Sequence, residues 1–191
     1  AIALWISLGS LAYLSGILAK DTTEVPKFDF RQRAKDFFIL SKPLIVALLL
    51  VTTYSGLVAG TKAWPSASLT FWTLLGGTLA AAGSSALNQY IDRELDKNMQ
   101  RTAKRPLADG RLTAAEGLSY GLALCLASYY LMAGMVNLLA ALLSLAGIFY
   151  YVFFYSVWLK KATVQNIVIG GGAGAIPPMV GWAAATGNLG L

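Results

Sequence analysis

Five stretches of this chain contain no lysine, arginine, aspartate or glutamate: residues 1–19, 44–61, 63–91, 117–159 and 162–191. A helix needs roughly 20 mostly apolar residues to cross a bilayer. The 63–91 run reaches that length, and the 117–159 run holds two spans. The fold class that follows is an all-α, polytopic transmembrane helical bundle. Composition agrees: 57% of the 191 residues are hydrophobic and only 13% are charged, against about 25% charged in a soluble domain.

The pattern predicts six helices, over about 1–18, 38–60, 68–91, 114–134, 138–158 and 165–185. One unbroken helix across 117–158 would overshoot a bilayer at about 1.5 Å per residue, so the Gly134–Asn137 region is read as a break. Pro43 is tolerable at the start of its helix, where the first-turn N–H groups are unpaired anyway. The loops alternate in charge. Lys20, Lys27, Arg31, Arg33, Lys35 and Lys42 lie in 20–43; Arg93, Lys97, Arg101, Lys104, Arg105 and Arg111 lie in 92–113; Lys160 and Lys161 follow. Only Lys62 falls on the opposite side. That bias predicts cytoplasmic loops at 20–43, 92–113 and 159–164, and a multi-pass location in the inner (plasma) membrane. Trp64, Trp72, Trp158 and Trp182 fall near predicted span ends, as interfacial anchors should. The net charge of +6 therefore sits at helix ends and faces the lipid bilayer's surface, which argues against nucleic acid as a partner. The chain has no histidine, which removes the commonest metal and haem ligand. The single Cys125 lies in an apolar run and reads as packing.

The informative stretch runs from Asn88 to Arg111. Asn88, Asp92 and Asp96 are spaced i, i+4, i+8, so a helix continuing through them carries all three on one face, about 5–6 Å apart. Such a ladder suits Mg²⁺ bridged by a diphosphate, because magnesium prefers octahedral oxygen ligation and takes one or two carboxylates plus substrate phosphates. Arg101 and Arg105, again i and i+4, are candidate bidentate donors to phosphate oxygens. Pro106 ends the helical run and Gly110 allows a turn. Lysines and arginines here are also explained as solvated topology determinants. Acidic groups set directly against a long apolar run, with Asn88 a turn deeper, are not, since polar groups at membrane depth are costly and point to function.

This segment resembles the first aspartate-rich motif of the UbiA superfamily of intramembrane prenyltransferases. The pattern N-x-x-x-D-x-x-x-D-x-x-M-x-R-T-x-x-R-P-L resembles its haem O synthase (protohaem IX farnesyltransferase) branch more than the quinone-pathway branch, partly through Met99 and Arg101–Thr102. Leu159–Ile167 and Gly170–Trp182 are similar to that branch as well, and the resemblance covers about residues 36–191. It implies a helical bundle around a central cavity, with Asn88, Asp92 and Asp96 as catalytic and metal-holding residues. Arg101, Arg105 and Lys160 would bind the diphosphate of farnesyl diphosphate. Haem B would be the acceptor, and one of its vinyl groups would capture the allylic cation. The superfamily's second acidic motif, and a histidine of haem O synthases, do not occur in these residues. The chain therefore reads as N- and C-terminally incomplete and inactive by itself. Residues 1–19 then read as an extra transmembrane helix, the end of a fused upstream membrane domain such as a haem A synthase-like module, with 20–35 as a cytoplasmic linker and 36–191 as the N-terminal part of the prenyltransferase domain.

Other features carry two readings each. Gly170–Gly174 lacks the Lys-Ser/Thr of a phosphate loop and is better read as close helix packing, with Pro177–Pro178 kinking that helix. The aromatic run Tyr150, Tyr151, Phe153, Phe154, Tyr155 and Trp158 either packs a core and interfacial belt or shields a carbocation and stacks on porphyrin; Tyr155 is the candidate contact. Lys160 and Lys161 either meet diphosphate or anchor the helix. Two other functions compete: a prenyltransferase with an aromatic acceptor such as 4-hydroxybenzoate, and a transporter or structural membrane subunit. A transporter needs acidic groups near the bilayer midplane, often beside broken helices. Asp92 and Asp96 sit at a helix end beside arginines, which favours phosphate.

Overall fold

A computed structural model describes residues 29–159 and 166–190. The apolar segment 1–19, residues 20–28 and Lys160 lie outside them. Contacts divide the chain into two units, Ala1–Gln32 and Arg33–Leu191. Of the first unit only Asp29–Gln32 are described; there the Asp29 carboxylate accepts from the backbone N–H groups of Arg31 and Gln32 and so caps the helix that begins at Phe30.

All regular elements among the described residues are helical. They are α1 (Phe30–Leu40), α2 (Pro43–Thr61), α3 (Ala67–Lys97), α4 (Ala114–Met135), α5 (Leu138–Phe149), a π-helix (Tyr150–Leu159), α6 (Asn166–Gly170), a 3₁₀ turn (Gly171–Ala175) and α7 (Ile176–Thr186). Three predicted helices are interrupted. The helix expected over 38–60 is two, because Lys42 adopts a left-handed backbone (φ 50°, ψ 64°) and Pro43 cannot donate to the preceding turn. The helix expected over 138–158 widens into the π-helix at Tyr150. The one expected over 165–185 tightens at Gly171–Ala175, so the distortion lies just before Pro177–Pro178, which occupy the first turn of α7 where proline is tolerated.

Four stretches are long and apolar enough to cross a membrane: Pro43–Thr61, Ala114–Met135, Leu138–Trp158 and Val168–Thr186. The span expected at 68–91 is not among them, although α3 is the longest helix at 31 residues, about 46 Å. It is free of charge over that stretch but not strongly apolar. The reason lies in its packing: Thr73, Ser84, Ser85, Asn88 and Gln89 are all buried against neighbouring helices. A helix covered by protein does not need a greasy surface. It packs most extensively on α4, and α2 on α7.

Small residues set those crossings. A Cβ on Gly56 would strike the Pro178 backbone, and one on Gly181 the Thr53 carbonyl, so α2 and α7 approach backbone to backbone. One core cluster, with Leu57, Met132, Val180 and Ala183, joins α2, α4, α5 and α7. A second contains Cys125 as packing, with Ala80, Leu87, Ile148 and Val152. A third, at the end where α3 finishes, unites Leu40, Ala86, Leu107 and Leu112. Local caps fix the helix starts: Thr113 and Glu116 form a reciprocal capping box on α4. Asn137 caps α5 while its Nδ2 donates to the Ala183 and Ala184 carbonyls of α7.

Candidate functional site

The last turns of α3 carry the ladder. Asn88, Asp92 and Asp96 are 5%, 3% and 4% exposed, so the predicted face exists and is turned inward. Asn88 Nδ2 donates to Asp92 Oδ2 at 3.2 Å and to Ser156 Oγ at 2.9 Å. Its Oδ1 accepts from Lys42 Nζ at 3.1 Å. Ser156 in turn donates to the Tyr151 carbonyl five residues earlier, at 2.8 Å, along the repeat of the π-helix. Three separate elements thus converge on one amide.

Two buried carboxylates at a helix C-terminus are disfavoured twice, by desolvation and by the negative end of the macrodipole. Positive charge has to be supplied. Arg105 Nη1 meets Asp96 Oδ2 at 2.7 Å. The segment 98–112 brings Arg105 there: α3 ends at Lys97, and the chain returns through successive turns with bonds such as Arg105 N to Thr102 O (3.0 Å) and Asp109 N to Arg105 O (2.8 Å). Pro106, Leu107, Ala108 and Leu112 are buried along that return. A buried leucine is worth about 1.5–3 kcal/mol, so the apolar residues on either side of Arg105 fix its position. Arg111 pairs with buried Asp36 of α1 at 3.3 Å, and Arg33 pairs with Glu116, tying α1 to the same loop and to α4. Exposed Glu94 points elsewhere; its hydrogen bond to Lys97 (2.8 Å) holds its carboxyl below the usual value.

Arg101 makes no contact with the ladder residues among those described. The helix expected to carry it stops four residues earlier, and Arg101 is exposed within the turns; the shared face with Arg105 therefore does not form. Lys160 lies outside the described residues. Tyr155 stacks on Tyr151 (centroids 5.7 Å apart, planes at 19°) and packs against Gly170, where a Cβ would strike its ring. The close-packing reading of the glycine run holds at Gly170. Gly171 and Gly174 instead have open space at their Cβ positions and line a cavity.

That cavity, of about 330 Å³, lies between α2, α3, α5 and α7. Its walls include Ile45, Leu49, Leu50, Ile148 and Val180, with Ser84, Ser85 and Tyr151 toward the ladder; Lys42 is the only charged residue among those described that line it. Its size is at the lower end of small-molecule sites, about 300–1,000 Å³. Ser156 and Lys42 were not singled out as site residues by sequence reasoning. Ser156 is a lone hydroxyl in an aromatic run, and Lys42-Pro43 is a cation at the head of a span; both are weak signals before the packing is known.

The model of the family described as the UbiA prenyltransferase family matches residues 49–191. The chain belongs to that family. A protein named protoheme IX farnesyltransferase from Roseiflexus sp. is 50% identical over 155 residues, 81% of this chain and 29% of that protein. Those of the same name from Gloeobacter violaceus and Clavibacter michiganensis are 45% identical over 91% and 83% of this chain, and over 56% and 52% of their own lengths. The chain thus spans between 29% and 56% of the length of these relatives. No solved structure matches it. A multi-pass membrane bundle is what the apolar helices and the family membership establish together.

Proposed function

We propose that this protein transfers the farnesyl group of farnesyl diphosphate to a vinyl group of haem B, giving haem O, at the Asn88–Asp92–Asp96 ladder. One observation carries the reading: a buried ladder of oxygen donors, with an arginine on its far end, adjoins an apolar cavity between spans. The names of the relatives support the farnesyl donor and the haem acceptor.

The donor set fits magnesium. Among the described residues no group of three or more His, Cys, Asp or Glu side chains is placed to cage a metal by itself. One or two carboxylates are what Mg²⁺ takes from a protein when water and substrate phosphates complete its shell. Asn88, Asp92 and Asp96 would hold it, and when bound it would draw electron density from the departing diphosphate. Arg105 neutralises Asp96 and stands ready for phosphate oxygens. The aliphatic walls take the prenyl chain at about 0.8 kcal/mol per buried CH₂ and keep water from the allylic carbon. The C–O bond to diphosphate breaks, the allylic carbon bonds to the vinyl terminus, and water adds to the resulting cation with loss of a proton. Lysine and arginine placement supports an inner-membrane protein with 92–113, and so the ladder, on the cytoplasmic side.

The test incubates the protein, in the full length its gene encodes and in lipid nanodiscs, with Mg²⁺, farnesyl diphosphate and either haem B or 4-hydroxybenzoate. Haem O detected by mass spectrometry with haem B, and no prenylated aromatic acid, is the expected result. Product from the aromatic acid alone overturns the acceptor; product from neither overturns the reaction.

A further inference from the structure

Lys42 combines two costs at one position. Its backbone is left-handed, which disfavours an L-residue with a Cβ by about 1–2 kcal/mol, and the residue, with its charge, is half-buried. The break it sits in is firmly built: Ser85 Oγ and Gln89 Nε2 donate to the Leu40 carbonyl at 3.1 and 2.8 Å, and the Lys42 carbonyl accepts from Ile45 and Val46 to start α2. Glycine would make the same turn without strain and without burying a charge. Lys62, also left-handed, differs: it ends α2 with an exposed side chain. Backbone strain that the surroundings hold in place points to a use for the side chain. The Lys42 side chain lines the cavity and also reaches the ladder, with Nζ 3.1 Å from Asn88 Oδ1.

We infer that Lys42 is a positioning residue for the prenyl donor, its ammonium binding a diphosphate oxygen between the cavity and the ladder. In this structure the ammonium is held on Asn88 Oδ1. With the donor bound it passes to phosphate, leaving Asn88 Oδ1 to a cation. One point charge beside the ladder then fixes how deep the chain sits, since the anionic head stops at Lys42 and the apolar tail continues past Ile45 and Leu49, which line the cavity. The inference rests on the isoprenyl diphosphate reading above.

The experiment measures binding of farnesyl thiodiphosphate, which resists cleavage, with Mg²⁺ to the nanodisc-embedded protein, with uncharged farnesol as control. Wild type, Lys42→Met, Lys42→Arg and Lys42→Gly are compared, and thermal unfolding is followed for each. Lys42→Met is expected to weaken thiodiphosphate binding about 10- to 100-fold, the loss of a hydrogen bond to a charged group; Lys42→Arg recovers most of it, and farnesol binding stays unchanged. Lys42→Gly should bind as weakly as Lys42→Met while its Tm equals or exceeds that of wild type. Wild-type affinity in Lys42→Met overturns the role of Lys42 alone. A lowered Tm in Lys42→Gly with parallel loss of farnesol binding shows a purely structural residue and overturns it too. Failure of wild type to bind thiodiphosphate overturns the diphosphate reading, and Lys42 with it.

Discussion

Arg105 Nη1 lies 2.7 Å from Asp96 Oδ2, although the two residues belong to different segments, one closing α3 and the other on the turns that follow it. Asp96 is buried and the Arg105 side chain only partly so. The pair sets a positive charge beside a buried carboxylate at a helix C-terminus, where burial and the macrodipole both disfavour negative charge.

Arg105→Ala removes this counter-charge and, on the proposed function, a phosphate donor as well. Affinity for farnesyl thiodiphosphate should fall by about 2–5 kcal/mol, the usual cost of truncating one partner of a buried charge pair. Arg105→Lys should recover only part of it, because an ammonium cannot reproduce the bidentate fork. A binding titration decides; unchanged affinity in Arg105→Ala would mean that the guanidinium serves Asp96 alone.

Asp92→Asn keeps the size of the side chain and can retain a hydrogen bond with Asn88, so membrane insertion and Tm should change little. Turnover should drop at least about 100-fold, the scale seen when one preorganised electrostatic group is lost, and Asp96→Asn should behave alike. Rates measured by mass spectrometry alongside circular dichroism separate the two effects. Wild-type turnover in either variant removes the metal assignment.

Ser156→Ala deletes one of the two acceptors of Asn88 Nδ2 and the bond to the Tyr151 carbonyl, leaving Asp92 Oδ2 as the other acceptor. The loss should cost about 1–3 kcal/mol, since buried polar groups lose a partner, and it should lower kcat by loosening the amide. Ser156→Thr keeps the hydroxyl and should restore both. A melting curve and single-turnover rates provide the readout; an Ala variant equal to wild type in both would leave Ser156 as mere packing.

Much of the site could be read from residues alone. The spacing of Asn88, Asp92 and Asp96 is a local property of helix geometry, and a strongly helical stretch realises it whatever surrounds it. Arg105 was legible as a donor, but its place was not. The i, i+4 relation to Arg101 presumed a helix that ends at Lys97, because buried Pro106, Leu107 and Leu112 draw the chain back over the bundle instead. Ser156 needed the π-helix, whose longer repeat no propensity in Tyr150–Leu159 announces.

The sequence by itself determined the all-helical membrane bundle, through runs without charge, and the acidic ladder, through its four-residue period. Both follow from interactions within one segment or between a segment and its solvent. The tertiary structure decided which cations reach that ladder, why α3 is polar where a span was expected, and that a cavity between α2, α3, α5 and α7 opens beside Lys42. Those depend on side chains brought together from distant segments, as in Lys42–Asn88–Ser156, and packing between helices is what sets such distances.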